Sequence, residues 1–404
     1  MTSERRATGI ALAAILVLAF NLRPVAVSVG PLLDEVSRGT GLGPFGRSLL
    51  TTLPVLAFAL VGAVAPLLAR RLGVHRVALG AVAVSVAGLA GRAVLDAPLG
   101  FLLLSFAALA GMAVANVLLP SLVRRHFPER IGLVTALYST SFALGVAASS
   151  ALSVPVARGL GSWRWGIGVW AATAVLAAVP LLVLARHDRV LSAPGSALTL
   201  GAVARSRVGW LVAVVFGLQA VQAYTIFGWL ATVYVDAGTS AADAGFMLGL
   251  ITATSVPLSF LFPAVVARGR HTALLAVAVV ACYPAGYLGL VLAPDAVPWL
   301  WAVLLGVGQG SFPVIMALIA LRARTPEGTA ALSGFAQSVG YLFAIPGPFL
   351  VGIVHEATDG WTVPLVGLSV LAGVLAVLLA AATRAGSVED ELAGRALVAP
   401  GRVP

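Results

Sequence analysis

The chain alternates long apolar runs with short breaks that are polar or rich in proline and glycine. Most runs are about 20 residues or longer, the length that an α-helix needs to cross the hydrocarbon core of a bilayer. The pattern therefore predicts an all-α membrane protein with twelve transmembrane helices. The runs lie at residues 8–33, 48–69, 74–95, 98–122, 131–154, 165–185, 208–234, 244–266, 272–293, 298–321, 329–354 and 360–383.

Composition and charge support a protein that crosses the lipid bilayer many times. The 404 residues are 60% hydrophobic and 10% charged, with a mean hydropathy of +1.03. The net charge of +10 could indicate nucleic-acid binding, but its distribution excludes that class. If the N-terminus is cytoplasmic, 19 arginines fall in cytoplasmic segments, 5 at the external side and 1, Arg23, in the membrane. Because positive charge concentrates on the cytoplasmic side of membrane proteins, we expect both termini in the cytoplasm.

The most informative polar stretch is NLRPVAVSVGP at Asn21–Pro31, inside the first run. Arg23 falls near mid-bilayer, where an arginine costs about 2.5–3.5 kcal/mol on insertion scales and should face a protein interior or a wet cavity. Pro24 lacks an N–H and crowds the carbonyl of Phe20, so the helix should bend or open here. The stretch predicts a site for a small anion at Arg23 and Asn21. A packing kink whose arginine pairs with carbonyls is the alternative.

Polar side chains recur at similar depth in five other runs. Two glutamines of the seventh run are three residues apart and share a face, and a glutamine and a tyrosine of the eleventh run are four apart. We predict a central cavity with ligand residues Asn116, Tyr138, Gln219, Gln222, Gln309, Gln337 and Tyr341. For Asn116, an interhelical hydrogen bond is an equally good interpretation.

An internal repeat indicates two halves of six helices each in the same orientation. At a constant offset of 198 residues, rare residue types coincide: Asn21 with Gln219, Arg70 with Arg268, Arg124 with Arg322, Pro128 with Pro326, Glu129 with Glu327 and Trp163 with Trp361. The halves would be residues 1–190 and 208–383. We expect a cytoplasmic linker at 191–207 and a mobile cytoplasmic tail at 384–404.

The short loop APLLARRLGVHRV joins the second and third runs. It resembles a loop motif of the major facilitator superfamily, although an arginine stands where that motif has an aspartate. We assign this loop, with basic residues of the later loops, to gating; topogenic charge is an equally good interpretation. The residues concerned are Arg70, Arg71, Gly73, Arg76, Arg124 and Arg322.

Four stretches together resemble the cyanate/2-nitroimidazole transporter family of the major facilitator superfamily. They read NLRPVAVSVGPLL, NVLLPSLVRRHFPERIGLVTALY, GWLATVYVDAGTSAADAG and GQGSFPVIMALIALRARTPEGTAALSGFAQSVGYLFAIPGP. The resemblance runs from Asn21 to about Trp361. It implies the major facilitator fold, alternating access, and transport of a small planar or anionic solute across a bacterial inner membrane. It also implies that Arg23, Asn21 and the region from Gln309 to Gln337 are signature positions.

We therefore expect a secondary transporter that acts as a monomer and needs no cofactor or metal. An exporter of drugs or metabolites on the same fold is the alternative. No metal-ligand spacing, nucleophile motif or phosphate loop indicates an enzyme. The 15 acidic residues lie in loops, the tail or the ends of runs, so Asp34 and Glu35 are the nearest candidates for proton coupling. A proton could instead travel with a weak-acid substrate.

Overall fold

The protein is described here from a computed structural model that covers residues 2–186, 200–267 and 272–398. A few side chains within these ranges, including those of Arg70 and Arg124, lie outside the description. In the described ranges all regular structure is helical. Eleven helical stretches are long and apolar enough to span a membrane, and the shorter Pro44–Leu60 makes a twelfth crossing. The predicted fold class, an all-α membrane protein of twelve helices, is confirmed.

Spans one to six form the N-terminal half, and the first two of them are interrupted. The first span comprises Thr2–Asn21, Pro24–Val27, Gly30–Leu32 and Leu33–Thr40, and the second comprises Pro44–Leu60, Gly62–Val64 and Ala65–Leu72. The third to sixth spans are Val74–Val94, Pro98–His126, Ile131–Gly159 and Trp163–Ala185, with a short turn at Pro128–Arg130 before the fifth.

Spans seven to twelve form the C-terminal half, and two of them are broken at glycine or proline. The seventh to ninth spans are Arg207–Asp236, Ala241–Ala267 and Thr272–Leu292. The tenth comprises Pro298–Gln309 and Ser311–Leu321, the eleventh Pro326–Ala344 and Pro346–Thr358, and the twelfth Thr362–Ala382. Of the predicted linker at 191–207, the described part begins at residue 200, with one helical turn at Leu200–Val203.

The alternating direction of the spans gives the molecule two ends. We call the end that carries the loop at Gly73 and the segment after the twelfth span the terminal face. Gly73 has a φ of 94°, a conformation that favours glycine at this tight connection. The other end, with the connections at residues 41–43, 95–97 and 237–240, is called the opposite face.

The two halves are in close contact near the opposite face. Phe45 of the second span and Phe349 of the eleventh pack edge to face, with ring centroids 5.6 Å apart. A Cβ atom on Gly228 of the seventh span would lie 2.9 Å from Thr51 Cβ of the second. Such spacing leaves room only for glycine. The seam between the halves is therefore closed at the opposite face in this conformation.

The segment after the twelfth span differs from the expected mobile tail at 384–404. Residues Val388–Val398 form a helix. Glu391 accepts hydrogen bonds from the backbone N–H groups of Arg207 and Val208, at 2.9 and 3.0 Å, and so caps the start of the seventh span. Asp390 pairs with Arg324 at 2.8 Å. Part of the predicted tail is therefore a helix whose acids cap the N-termini of neighbouring helices and pair with an arginine.

Candidate functional site

The first span opens at the predicted place. Its first helix ends at Asn21 and the next begins at Pro24, because proline supplies no N–H to the helical ladder. Gly145 of the fifth span lies against the backbone carbonyl of Phe20, and a Cβ atom there would collide with that oxygen. Phe20 is the residue whose carbonyl the proline ring crowds. The break is therefore held between its own proline and a glycine of a neighbouring span.

Arg23 stands at this break and extends into an aromatic cluster. Its Nη1 donates a hydrogen bond to the hydroxyl of Tyr224 at 2.8 Å. Its Cζ lies 5.2 Å from the ring centroid of Phe58, 5.1 Å from that of Phe142 and 5.3 Å from that of Tyr224. Each contact is within the range in which an aromatic face attracts a cation. The guanidinium is thus surrounded on several sides by ring surface.

In the part of the chain that the structure describes, no acidic partner neutralises this charge. Among the described residues, no carboxylate forms an ion pair with Arg23. Its Nε is buried without a hydrogen-bond partner. Cation–π contacts supply about 0.5–2 kcal/mol each, which compensates for part of the lost hydration but leaves donor groups available. An anion is the ligand that such a group binds best.

Both halves of the protein contribute to this cluster. Tyr341 of the eleventh span stacks on Phe58 of the second, with centroids 5.2 Å apart and an interplanar angle of 27°. The Tyr341 ring also meets Tyr224 at 6.1 Å and Phe216 at 5.1 Å. Arg23, Phe58 and Phe142 belong to the N-terminal half, whereas the other three residues belong to the C-terminal half. A ligand bound here would contact both halves.

Asn21 lies in a different environment from the one predicted for a ligand residue. It is 1% exposed. Its Nδ2 donates to the carbonyls of Val17 and Thr173 at 2.8 and 3.0 Å, and its Oδ1 accepts from Thr173 Oγ1 at 2.6 Å. The carboxamide is already satisfied by the sixth span, which argues against direct ligand binding. Asn21 instead fixes the end of the helix that precedes Arg23.

The glutamines of the seventh span also point away from Arg23. Gln222 is fully buried, donates to the carbonyl of Leu368 at 2.9 Å and accepts from the Tyr287 hydroxyl at 2.8 Å. These partners lie on the twelfth and ninth spans, inside the C-terminal half. Gln222 therefore packs within that half, because buried amides need partners.

Gln219 and Gln309 form a second internal network. Gln309 Oε1 accepts hydrogen bonds from Gln219 Nε2 at 3.1 Å and from the Tyr283 hydroxyl at 3.2 Å. Both glutamines are buried, and their hydrogen bonds among the described residues join them to each other and to Tyr283, not to Arg23. The structure therefore favours a packing role for both over the predicted ligand role.

We expect Gln222→Leu to lower thermal stability while leaving ligand affinity unchanged. The substitution removes two buried hydrogen bonds and leaves the Leu368 carbonyl and Tyr287 hydroxyl unpaired, which costs about 1–3 kcal/mol for each unsatisfied group. Melting temperature and ligand titration on the same purified variant test this. Weaker binding at unchanged stability would return Gln222 to the ligand set.

Three other predicted residues lie on the terminal-face side of the aromatic cluster. Tyr138 is one turn before Phe142 on the fifth span, and Gln337 is one turn before Tyr341 on the eleventh. Asn116 and Leu109 share a face of the fourth span, and Asn116 lies two turns nearer the terminal face than Leu109. All three are half-buried. Gln337 donates to Ser333 of its own helix at 2.8 Å, so its amide is engaged within the eleventh span.

The predicted gating residues occupy the terminal face. Arg71 and Arg76 are exposed, and the side chains of Arg70 and Arg124 lie outside the description. Arg322 donates to the carbonyls of Thr383 and Ala385, within its own half. Partial burial lowers the pKa of Arg322, yet an arginine stays charged. The side chain ties the tenth span to the segment after the twelfth.

The proton-coupling candidates lie at the opposite face. Asp34 Oδ1 accepts from Arg47 Nη2 at 2.5 Å, and Asp34 keeps 44% side-chain exposure. Glu35 is part of a surface depression with Arg38 and Trp163. Neither acid pairs with Arg23. In the described ranges, no group of three or more His, Cys, Asp or Glu side chains could hold a metal ion.

Sequence reasoning missed most of the groups that surround Arg23. Phe58 and Phe142 carried no signal, since aromatic residues are common in packed membrane helices. Tyr224 lies away from the shared face of Gln219 and Gln222 on the seventh span, and its hydroxyl meets Arg23 of the N-terminal half. Sequence reasoning also misjudged Arg92, which lies outside this group. It was counted among the charges at the external side, yet it is fully buried.

The architecture and the site together indicate a class of membrane protein. Twelve helices in two halves, with a charged site at the break of a span and at the seam between halves, are typical of secondary transporters. A bacterial homologue of the human lysosomal transporter Spinster, crystallised in an inward-facing and unoccupied conformation, has the same fold. It superposes with a TM-score of 0.75 at 15% identity, covering 95% of this chain and 98% of that chain.

The chain belongs to the Major Facilitator Superfamily, whose family model matches residues 9–348. It is 34% identical over 377 residues to the 2-nitroimidazole transporter of Escherichia coli (strain K12), covering 91% of this chain and 93% of that protein. It is 27% identical over 352 residues to the cyanate transport protein CynX of the same organism, covering 86% and 90%. The predicted resemblance to the cyanate/2-nitroimidazole transporter family is confirmed.

Proposed function

We propose that this protein carries small planar solutes with a negative charge across the membrane, and that Arg23 binds the charge. The observation that carries the proposal is an arginine that has no acidic partner among the described residues and is surrounded by aromatic rings at the seam between the halves. A guanidinium pairs with carboxylates and similar groups through parallel hydrogen bonds. The rings would pack against the flat faces of the solute. The names of the relatives, 2-nitroimidazole and cyanate transporters, agree with a small solute.

Alternating access follows from the way the site is divided. Tyr224 and Tyr341 approach Arg23 from the C-terminal half, so a bound anion that competes for Nη1 would change a contact between the halves. Rocking of the halves would then expose the site to either face in turn. With the opposite face closed, and with the termini cytoplasmic as the arginine distribution predicts, this conformation would be the inward-facing one. We further propose the bacterial inner membrane as its location, which the similarity to the two Escherichia coli transporters supports.

Charge movement constrains how transport is driven. An anion that enters a cell with a negative interior works against about 2.3 kcal/mol per 100 mV. Among the described residues, no acidic side chain pairs with Arg23 to serve as a proton relay. Uptake would therefore require a steep gradient, or a weak-acid solute that brings its own proton. Export of an anion would be favoured by the potential. Measuring both uptake and export of the same anion distinguishes an importer from an exporter.

Substitutions at Tyr224 test the aromatic part of the site. Benzoate, a planar monoanion, serves as the probe ligand. Tyr224→Phe keeps the ring that faces Arg23 and removes only the hydroxyl, so benzoate binding should persist. Tyr224→Leu also removes the ring, and we expect the Kd to rise about tenfold because the solute loses an aromatic face to pack against. Titration calorimetry and uptake into proteoliposomes measure the effect.

A matched control lies away from the seam. Tyr287 is also a buried tyrosine with one side-chain hydrogen bond, to Gln222, so Tyr287→Phe should leave benzoate affinity at the wild-type value. If Tyr224→Leu binds and transports benzoate as the wild type does, the aromatic cluster is not the substrate site.

A further inference from the structure

A second arginine is buried in the membrane-spanning part of the N-terminal half. Arg92, near the end of the third span, is 0% exposed. Its Nη1 donates to the carbonyl of Val25 at 3.1 Å, and its Nη2 lies 3.4 Å from Ser28 Oγ. Both partners belong to the broken part of the first span, just after Arg23. Arg92 therefore uses a backbone oxygen that the helix break leaves free.

These contacts do not satisfy the side chain. The Nε atom of Arg92 is buried without a hydrogen-bond partner, and among the described residues no carboxylate pairs with it. Burying a charge without a counter-charge is costly. A structural link from the third span to Val25 needs one donor, which a neutral side chain would provide at lower cost. The full positive charge calls for a second explanation.

A small cavity adjoins Arg92. Its volume is about 20 Å³, enough for one water molecule. The Ser105 hydroxyl on its wall is 0% exposed and has no hydrogen-bond partner among the described residues. Tyr224, the hydrogen-bond partner of Arg23, lines the same cavity from the other half, as does Gly228. The cavity thus holds a buried cation and an unpaired hydroxyl, and Tyr224 separates it from the Arg23 site.

The cavity lies on the seam that closes the opposite face. A Cβ atom on Gly30 would approach the carbonyl oxygen of Phe227 to 2.8 Å, so the two halves meet here at backbone distance. If the halves separate on this side, the wall formed by the seventh span moves away from Arg92 and Ser105. The cavity would then enlarge and open to the opposite face.

We propose that Arg92 and Ser105 form a second anion site, which receives the solute from the opposite face before it reaches Arg23. The site would take small monoanions, with the guanidinium and the hydroxyl as donors. The proposal rests on the transport function proposed above, in which the halves rock apart. Tyr224, which borders both sites, would form the passage between them.

Cysteine protection tests the site without requiring transport. Ser105→Cys is made in a Cys282→Ala background, and modification by methyl methanethiosulfonate, a small neutral reagent, is followed by intact-mass spectrometry on purified protein. We expect slow modification that thiocyanate inhibits and that urea, a neutral compound of similar size, does not. Absence of any modification would show that the cavity does not open, and equal protection by urea would show that charge is not recognised; either result overturns the proposal.

Two further variants assign the protection to Arg92. With Arg92→Gln, the thiocyanate concentration for half protection should rise about tenfold or more, the factor expected for loss of a hydrogen bond to a charged group. Arg92→Lys keeps the charge and a donor for Val25, so it should retain part of the protection even if the glutamine variant fails to fold. Unchanged protection in a folded Arg92→Gln protein, or none in folded Arg92→Lys, would overturn the assignment.

Arg23→Gln separates this inference from the proposed function. In that variant, protection of Ser105→Cys by thiocyanate should persist, because Arg92 and its cavity remain. If Arg23→Gln transports anions normally, the proposed function fails while the protection assay still reports on Arg92. If Arg23→Gln alone removes the protection, the anion binds at Arg23 and the second site does not exist.

Discussion

Arg23→Gln is expected to abolish anion binding and transport while the protein still inserts and folds. The glutamine side chain keeps polar atoms at the break but loses the charge, the hydrogen bonds to a ligand and the attraction to three rings. Each lost hydrogen bond to a charged group costs about 1.5–3 kcal/mol, which corresponds to about a 10- to 150-fold rise in Kd, so losing parallel bonds together should take binding below detection. Titration calorimetry with benzoate on purified protein measures this directly.

Two further arginine variants make the result interpretable. Arg23→Lys should restore binding only in part, because an ammonium group has the charge but lacks the planar fork of donors. Arg158→Gln removes an exposed arginine at the opposite-face end of the fifth span, so it should bind as the wild type does. Wild-type affinity in a correctly folded Arg23→Gln protein would contradict the role assigned to Arg23.

Gly145→Ala is expected to lower both stability and transport. The new methyl group would collide with the carbonyl oxygen of Phe20 and lie 2.8 Å from its carbonyl carbon. Overpacking of this kind costs about 1–3 kcal/mol, and here the obstacle is backbone, which gives way less readily than a side chain. Any relief must shift the first span at its break, and Arg23 would move with it. Melting temperature and benzoate affinity measure the two consequences.

Gly80→Ala is the matched control for this substitution. Gly80 lies within the third span, and a Cβ atom there meets nothing within 4 Å. The alanine should therefore be tolerated, and its higher helix propensity adds a small stabilisation. If Gly145→Ala is as stable and as active as Gly80→Ala, the fifth span does not hold the break in place.

Much of the fold could be predicted because a bilayer imposes a simple rule. Every backbone polar group must be paired inside hydrocarbon, so long apolar runs become helices. The second span was harder to predict: the predicted run at 48–69 is divided in the structure into Pro44–Leu60, Gly62–Val64 and Ala65–Leu72. Local breaks depend on tertiary contacts that hydropathy does not record.

The candidate site was predictable only where a residue is costly in a membrane. Arg23 was identifiable because a charge at mid-bilayer needs an explanation, and Pro24 marked the break. Amides gave a weaker signal, since a buried carboxamide is as easily satisfied by another helix as by a ligand. Asn21 and Gln222 show this, because each is fully engaged by partners of its own half.

Arg92 shows the limit of counting charges by position. Its place near the end of the third run made it one arginine among those at the external side. Burial depends on how the first and fourth spans pack over it, which a one-dimensional pattern does not contain. The same holds for Tyr224, whose ring reaches the Arg23 site only because the seventh span of the other half packs there.

The measurement that tests the central claim most directly is thermal stabilisation of the purified wild-type protein by matched ligands. Benzoate and benzamide share a planar shape and differ in charge, and cyanate adds a smaller anion. Binding to the folded state should raise the melting temperature as ligand exceeds its Kd. We expect benzoate and cyanate to raise the melting temperature and benzamide to raise it little or not at all. Equal stabilisation by benzamide, or none by either anion, would contradict an anion site centred on Arg23.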